Sequence, residues 1–222
     1  KCKLVATEHW SELDKNEITS LVRFLGEKTY PYVDTLITVS ESLKRNISLF
    51  FNKDSVVIHN LIDAEYLKSP VSNNDDICKI VCVGSLVRRK GFDFLIKAIY
   101  ESKIYDKNFM LRIIGNGPER NNLQNLILSC GLEDKIQILG QMSKQDIYGY
   151  LHESDFFILP SRHENFSVAV LEALANGLPV IATICGGIRE CIDDNNGILV
   201  DVDDINGMAS ALQLMYENRG KY

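Results

Sequence analysis

The sequence predicts an α/β protein: a Rossmann-like parallel sheet with helices on both faces, preceded by the last part of a second Rossmann-like domain. Three observations carry this. Short apolar runs of strand length alternate with segments of helical periodicity along the chain. The runs in the second half read as strands buried on both faces, as in parallel sheets. Glycine and proline punctuate the joins, as Gly115, Pro118, Gly131 and Gly177 do.

The elements follow in order. A strand is expected near Leu4 to Thr7, a helix around Ile18 to Lys28, a strand in TLITVS, a helix from Glu41 and a strand in SVVIHN. After residue 76, Ile80 to Gly84 (IVCVG) is a buried strand, and Phe92, Leu95, Ile96 and Ile99 recur at helical spacing. Leu111 to Gly115 (LRIIG) is the next strand. Pro118 is placed as the first helical residue, Leu123, Leu126 and Ile127 line that helix, and Gly131 closes it. IQIL, DFFIL and PVIAT supply three further strands, with helices near Ser143 to Glu153 and Ser167 to Asn176, the latter stopped by Gly177. GILV is followed by a helix pattern.

Residues 63–76 are polar and contain Pro70, which suits a linker, so the domains are expected as 1–70 and 71–222. The roughly 65 residues before the linker are too few for a whole Rossmann domain. The chain opens on Lys1 inside a strand pattern and stops at ENRGKY, so it is expected to be a fragment of a longer protein.

Composition narrows the class. The chain has 222 residues, 45% of them hydrophobic, enough for real cores. No apolar run approaches the roughly 18 residues of a membrane span, and no signal-peptide pattern opens the chain. A net charge of −6 argues against a nucleic-acid surface. Six cysteines without a CxxC pair suit packed, reduced thiols in a cytoplasm and disfavour a structural zinc site.

The stretch Ser161 to Gly187 holds the sharpest signal. From Val168 to Ala175 every residue except Glu172 is apolar, so the helix reads as wholly buried. A lone carboxylate there needs a partner: another side chain, backbone N–H groups or the hydroxyls of a ligand. A structural pair with a buried Arg or Lys is the rival explanation. Glu164 stands eight residues earlier, in the loop feeding this helix, where an ordinary exposed loop acid is the plain alternative.

Ligands of open parallel sheets bind outside the carboxyl ends of the strands. Arg88, Arg89 and Lys90 follow the IVCVG strand and lead into a helix N-terminus, an anion site in outline or else a solvated basic loop. Gly115 and Gly117 flank Asn116 after LRIIG; the pair allows close backbone approach to a ligand, although a tight strand-to-helix turn explains it equally. Arg120 stands where a dinucleotide fingerprint needs its third glycine, and no GxxxxGK[ST] loop occurs. Asp201-Val-Asp203 spells DxD, but its place between a strand and a helix pattern favours a turn and cap over a metal site. His9 ends the first strand at a crevice position and could donate or shuttle a proton.

Together VGSLVRRKGFDFLIKAI, IIGNGPE, the Glu164/Glu172 pair, EALANGLPVIAT, Gly186-Gly187 and NGILV resemble the nucleotide-sugar-binding domain of retaining GT-B glycosyltransferases of the group 1 family (family 4). The resemblance is dense from residue 78 to about 215; TEHW, TLITVSESLK and VVIHNLID look more loosely like the end of the acceptor-side domain. It implies transfer of a sugar from a nucleoside-diphosphate sugar with retention of configuration, with no cofactor and no required metal. Glu172 would accept the two ribose hydroxyls, and Glu164 would hold a hydroxyl of the donor sugar, with the backbone N–H groups of Asn165, Phe166 and Ser167 nearby. Lys90 would grip the diphosphate in the loop that begins at Gly84, and the base would lie near Gly140 to Met142. His9 would face the sugar. Ser85 stands where many members carry Arg, so Arg89 is the candidate replacement. Asn165-Phe166-Ser167 replaces the usual Gly-Phe-Gly, which leaves the donor sugar open. The implied partners are a nucleotide sugar and a glycan, lipid-linked or small-molecule acceptor, with peripheral membrane association compatible with the full-length protein. A non-catalytic nucleotide-sugar-binding module and a GT-B nucleotide-sugar epimerase stay as alternatives.

Overall fold

The computed structural model describes residues 2–10, 13, 18–64, 67, 76–102 and 104–218. Most of the expected linker, including Pro70 and the boundary at residues 70 and 71, lies outside the described residues, as do Lys1 and residues 219–222. Contacts divide the described chain into two compact units. The first holds the described residues up to Leu61 together with His163–Ser167 and Cys185–Cys191, and the second holds the rest.

In the first unit, β1 (Val5–Glu8), β2 (Thr35–Thr38) and β3 (Val56–Val57) form a parallel sheet in that order. Helices α1 (Ser20–Thr29) and α2 (Glu41–Phe51) start on the capping hydroxyls of Thr19 and Ser40, which accept from the N–H groups of Val22 and Leu43. SVVIHN pairs over less length than expected. Ile58 N–H still reaches Thr38 O at 2.9 Å, but His59 Nδ1 lies 3.1 Å from Val39 O, and Asn60 Nδ2 donates to Phe166 O at 2.9 Å. The side chains of His59 and Asn60 thus bond outside the ladder.

In the second unit, β4 (Cys78–Val83), β5 (Phe109–Ile114), β6 (Ile136–Gly140), β7 (Phe156–Leu159), β8 (Val180–Thr183) and β9 (Gly197–Val200) run parallel in the order β6-β5-β4-β7-β8-β9. Every apolar run predicted there is a strand. The order reverses between β4 and β7, the switch point outside which open sheets bind ligands. Helices α3 (Phe92–Glu101), α4 (Arg120–Ser129), α5 (Lys144–Glu153), α6 (Val168–Ala175) and α7 (Ile205–Glu217) cover it. Ile80, Leu95, Ile96, Leu111, Phe156 and Leu212 are fully buried in one core; each such side chain contributes roughly 1.5–3 kcal/mol.

One helix end differs from expectation and one agrees with it. Helix α4 begins at Arg120 rather than Pro118, because Gly117 packs on the Leu86 backbone and Glu119 N–H donates to Leu86 O at 3.0 Å; the first helical bond is Leu123 N–H to Glu119 O. Helix α6 ends as predicted, with Leu178 N–H returning to Ala173 O at 3.0 Å and Gly177 N–H to Leu174 O at 2.9 Å. No disulfide joins the six cysteines. Among the described residues no helix is long and apolar enough to cross a membrane.

Candidate functional site

At the carboxyl end of β4, Gly84 and Ser85 open a loop that leads to a 3-10 turn, Arg88–Lys90, and then to α3. Arg88 and Arg89 are exposed and Lys90 is half-buried; the Lys90 Cδ lies 3.6 Å from where a Cβ on Gly84 would stand. Gly91 turns the chain into α3 at φ 66°, and a Cβ there would overlap the Pro160 carbonyl oxygen. Only glycine meets both demands. Gly115, at φ 150°, likewise sits where a Cβ would overlap the Gly84 carbonyl, while its N–H donates to Gly140 O at 2.8 Å. Close packing of backbone on the 84–86 loop therefore accounts for Gly115 and Gly117 without a ligand, and the two glycines set the shape of the loop that carries the cations.

Arg162, at the end of the β7 loop, pins this arrangement. Its Nη1 and Nη2 donate to Asp93 Oδ1 and Oδ2 at 2.8 and 3.0 Å, its Nε to Asp203 Oδ1 at 2.8 Å, and Nη1 also to Arg88 O at 2.7 Å. Its backbone N–H reaches Arg89 O at 2.7 Å. The bonds to Asp93 and then Asp203 raise the guanidinium's pKa further above its already high value. Burial alone would push the Asp93 carboxyl up, but the Arg162 bonds and charge outweigh it and hold the group below its usual 3.8. A carboxylate depressed on folding stabilises the fold above its unfolded pKa and loses that contribution as pH falls through the folded value. The acid limb of unfolding is therefore expected to flatten in Asp93→Asn, measured by thermal melts between pH 6 and 2. The DxD lies at a turn, but it does not supply the cap: Asp203 pairs with Arg162, and the next residue, Asp204, caps α7 by accepting from Gly207 N–H at 2.9 Å.

Glu172 departs from one expectation. Helix α6 is not wholly buried: Val170 and Ala173 are buried, but Val168 is 41% exposed, Ala175 is exposed and Glu172 is half-buried. Residues 168, 172 and 175 share a face at helical spacing, and that face is the uncovered one; apolar composition counted residues without their directions. Among the described residues the Glu172 carboxylate has one hydrogen-bond partner, Tyr148 Oη, at 3.4 Å from Oε1. Burial raises the pKa of Glu172, while the Tyr148 hydroxyl and the charge of Lys144 pull it back. Tyr148 is 3% exposed, and burial followed by the Glu172 charge pushes its phenol up to about 12. Tyr148 and Lys144 lie four apart on α5, whose N-cap, Ser143, directly follows the half-buried Met142. Sequence reasoning missed Tyr148, Lys144 and Arg162. The i, i+4 spacing of Lys144 and Tyr148 was the available signal, but it looks like any surface helix face.

The loop carrying Glu164 belongs to the first unit. Glu164, Asn165, Phe166 and Ser167 are all buried, at 5 to 7% exposure, so the plain alternative of an exposed loop acid does not hold. Phe166 stacks on His59 with ring centroids 4.6 Å apart, and Asn165 O accepts from Gly187 N–H at 2.7 Å. Among the described residues, both polar atoms of the Asn165 side chain are buried without a hydrogen-bond partner, a costly state unless something else satisfies them. His9 is exposed after β1, its backbone N–H donating to Glu8 Oε1 at 3.0 Å.

Comparison with known proteins bears on this geometry. The model of the family described as glycosyl transferases group 1 matches residues 64–222. An uncharacterised glycosyltransferase of Methanocaldococcus jannaschii is 30% identical over 186 residues, covering 83% of this chain and 50% of that protein. An N-acetylgalactosaminyltransferase of Campylobacter jejuni, named for a diphospho-undecaprenol-linked sugar, is 33% identical over 215 residues, covering 92% and 57%. The chain thus spans about half the length of the curated relatives it matches. The crystal structure of Anabaena HepE in complex with UDP and glucose superposes with a TM-score of 0.86 at 21% identity over 99% of this chain and 63% of that one. That likeness gives the fold, GT-B. With the family model spanning the sheet, the switch-point loops and both acids, the chain belongs to the glycosyl transferases group 1 family.

Proposed function

We propose that the protein transfers a sugar from a nucleoside-diphosphate sugar to an acceptor, with retention of anomeric configuration and without a required metal. The observation that carries this reading is Glu172: a half-buried carboxylate that, among the described residues, receives one long hydrogen bond, from Tyr148 of α5. A glutamate offers about four acceptor positions, so most of its capacity remains for the two hydroxyls of a ribose. Met142 and the Gly140 backbone would meet the base. Lys90, with Arg89 in the role that Ser85 does not fill, would neutralise the departing diphosphate beside Gly84, Gly115 and Gly117. Fixed cations and a helix N-terminus stabilise such a leaving group as an oxocarbenium-like sugar forms.

Glu164 would hold a sugar hydroxyl, aided by the N–H groups of Asn165, Phe166 and Ser167, and His9 would face the same sugar. The buried, unsatisfied amide of Asn165 supports a polar ligand at this loop. Relatives named for lipopolysaccharide core biosynthesis and for a lipid-diphosphate-linked sugar support a glycan or lipid-linked acceptor, with peripheral membrane association of the full-length protein. Thiols without disulfides support the cytoplasm as its place of action. The test is to incubate the full-length protein with UDP, GDP and ADP sugars, with and without EDTA, and to determine the product anomer by NMR. A retained anomer made in EDTA is the expected result. Binding without turnover, or release of an epimerised nucleotide sugar, would replace this reading with one of its alternatives.

A further inference from the structure

Resting on the ribose role proposed for Glu172, we infer that Tyr148 is a positioning residue that aims the Glu172 carboxylate at the ribose diol and thereby sets selectivity for ribonucleotides. Glu172 has three rotatable side-chain torsions and stands on the uncovered face of α6, so its backbone alone does not fix where its oxygens point. Tyr148 is the opposite case: its ring is 3% exposed and packed, so its hydroxyl has a fixed place. That hydroxyl lies 3.4 Å from Glu172 Oε1 and 3.3 Å from the backbone carbonyl of Asp63. It carries one proton for two acceptors, and a carboxylate is the stronger acceptor of the two.

Lys144, one turn earlier on α5, holds the same partner from the other side: its Nζ lies 3.3 Å from Asp63 Oδ2 and 5.9 Å from the Tyr148 ring centroid. Asp63 is therefore gripped twice by α5, through its side chain and through its carbonyl. The charged and titratable groups in play are Lys144 and Tyr148 from α5, Asp63, and Glu172 itself. Lys144 favours the ionised form of Glu172, which is the form that accepts two hydroxyls. The Tyr148 bond occupies one acceptor position at Oε1 and leaves the others open, enough for a vicinal diol.

Tyr148→Phe removes the hydroxyl and keeps the buried ring, so the fold is expected to survive. Calorimetry on the full-length protein should use UDP, GDP and ADP, each beside its 2′-deoxy form. In the variant, affinity for the tightest ribonucleotide is expected to fall about fivefold, the effect of one lost hydrogen bond, while its 2′-deoxy form is little changed. The acid limb of ribonucleotide binding should also move to higher pH, because losing the phenol's hydrogen bond leaves Glu172 easier to protonate. Equal losses for both sugars, or an unchanged ratio with an unmoved acid limb, would overturn the inference. Glu172→Ala separates the two levels. If that variant loses ribose discrimination and Tyr148→Phe does not, the positioning role alone fails; if Glu172→Ala keeps it, the ribose assignment fails.

Discussion

Replacing Arg162 by alanine is expected to lower stability by about 2 kcal/mol, between the scales for losing one partner of an exposed and of a buried charge pair. The side chain is 19% exposed and binds two carboxylates and a backbone carbonyl at once. Its loss leaves Asp93, 35% exposed, charged and without its bidentate partner in the first turn of α3. Asp203 is 52% exposed and contributes less, because solvent screens it. Lysine is a poor replacement, since a single ammonium cannot reproduce the two-pronged contact with Asp93 while also reaching Asp203. Denaturant unfolding measures the effect, and a loss below about 1 kcal/mol would mean that these contacts behave as an ordinary surface ion pair. The same substitution removes the donor to the Arg88 carbonyl, so the loop carrying Lys90 should lose order as well.

Lys90→Ala is expected to weaken nucleoside diphosphate binding by about 10- to 100-fold, the range for one or more charge-assisted hydrogen bonds. Binding of the bare nucleoside should be nearly unchanged, because the substitution touches neither Glu172 nor the loop at Met142. The stem of Lys90 lies along Gly84, which gives the ammonium a defined origin at the switch point of the sheet. Equal losses for nucleoside and diphosphate would remove the phosphate assignment and return the Arg88–Lys90 turn to a solvated basic loop.

Much of this architecture was legible in the sequence, because parallel strands buried on both faces announce themselves as apolar runs. Ile80–Gly84, Leu111–Gly115 and DFFIL (155–159) needed only small changes at their ends. Cys78 and Lys79 joined β4 because Cys78 N–H finds Asn108 O, a pairing that no local pattern reveals. Pro118 signalled a helix start, yet a bond to Leu86, more than thirty residues away, delayed it. The acids Glu164 and Glu172 were visible as polar residues in apolar or loop settings. What surrounds them was not: Tyr148 meets Asp63 across 85 residues and Glu172 across 24, and Arg162 meets Asp93 across 69. Such partners depend on the topology, in which β7 returns beside β4, and residue spacing along one helix does not encode it.

The central claim is that Glu172 is half-buried with spare acceptor capacity because its partners are ligand hydroxyls. Calorimetric titration of the full-length protein and its Glu172→Ala variant with UDP, GDP and ADP tests it most directly. The tightest-binding nucleotide is expected to lose roughly tenfold or more in affinity, as two hydrogen bonds to a charged acceptor disappear. A well-folded variant that binds all three nucleotides as tightly as the parent would contradict it.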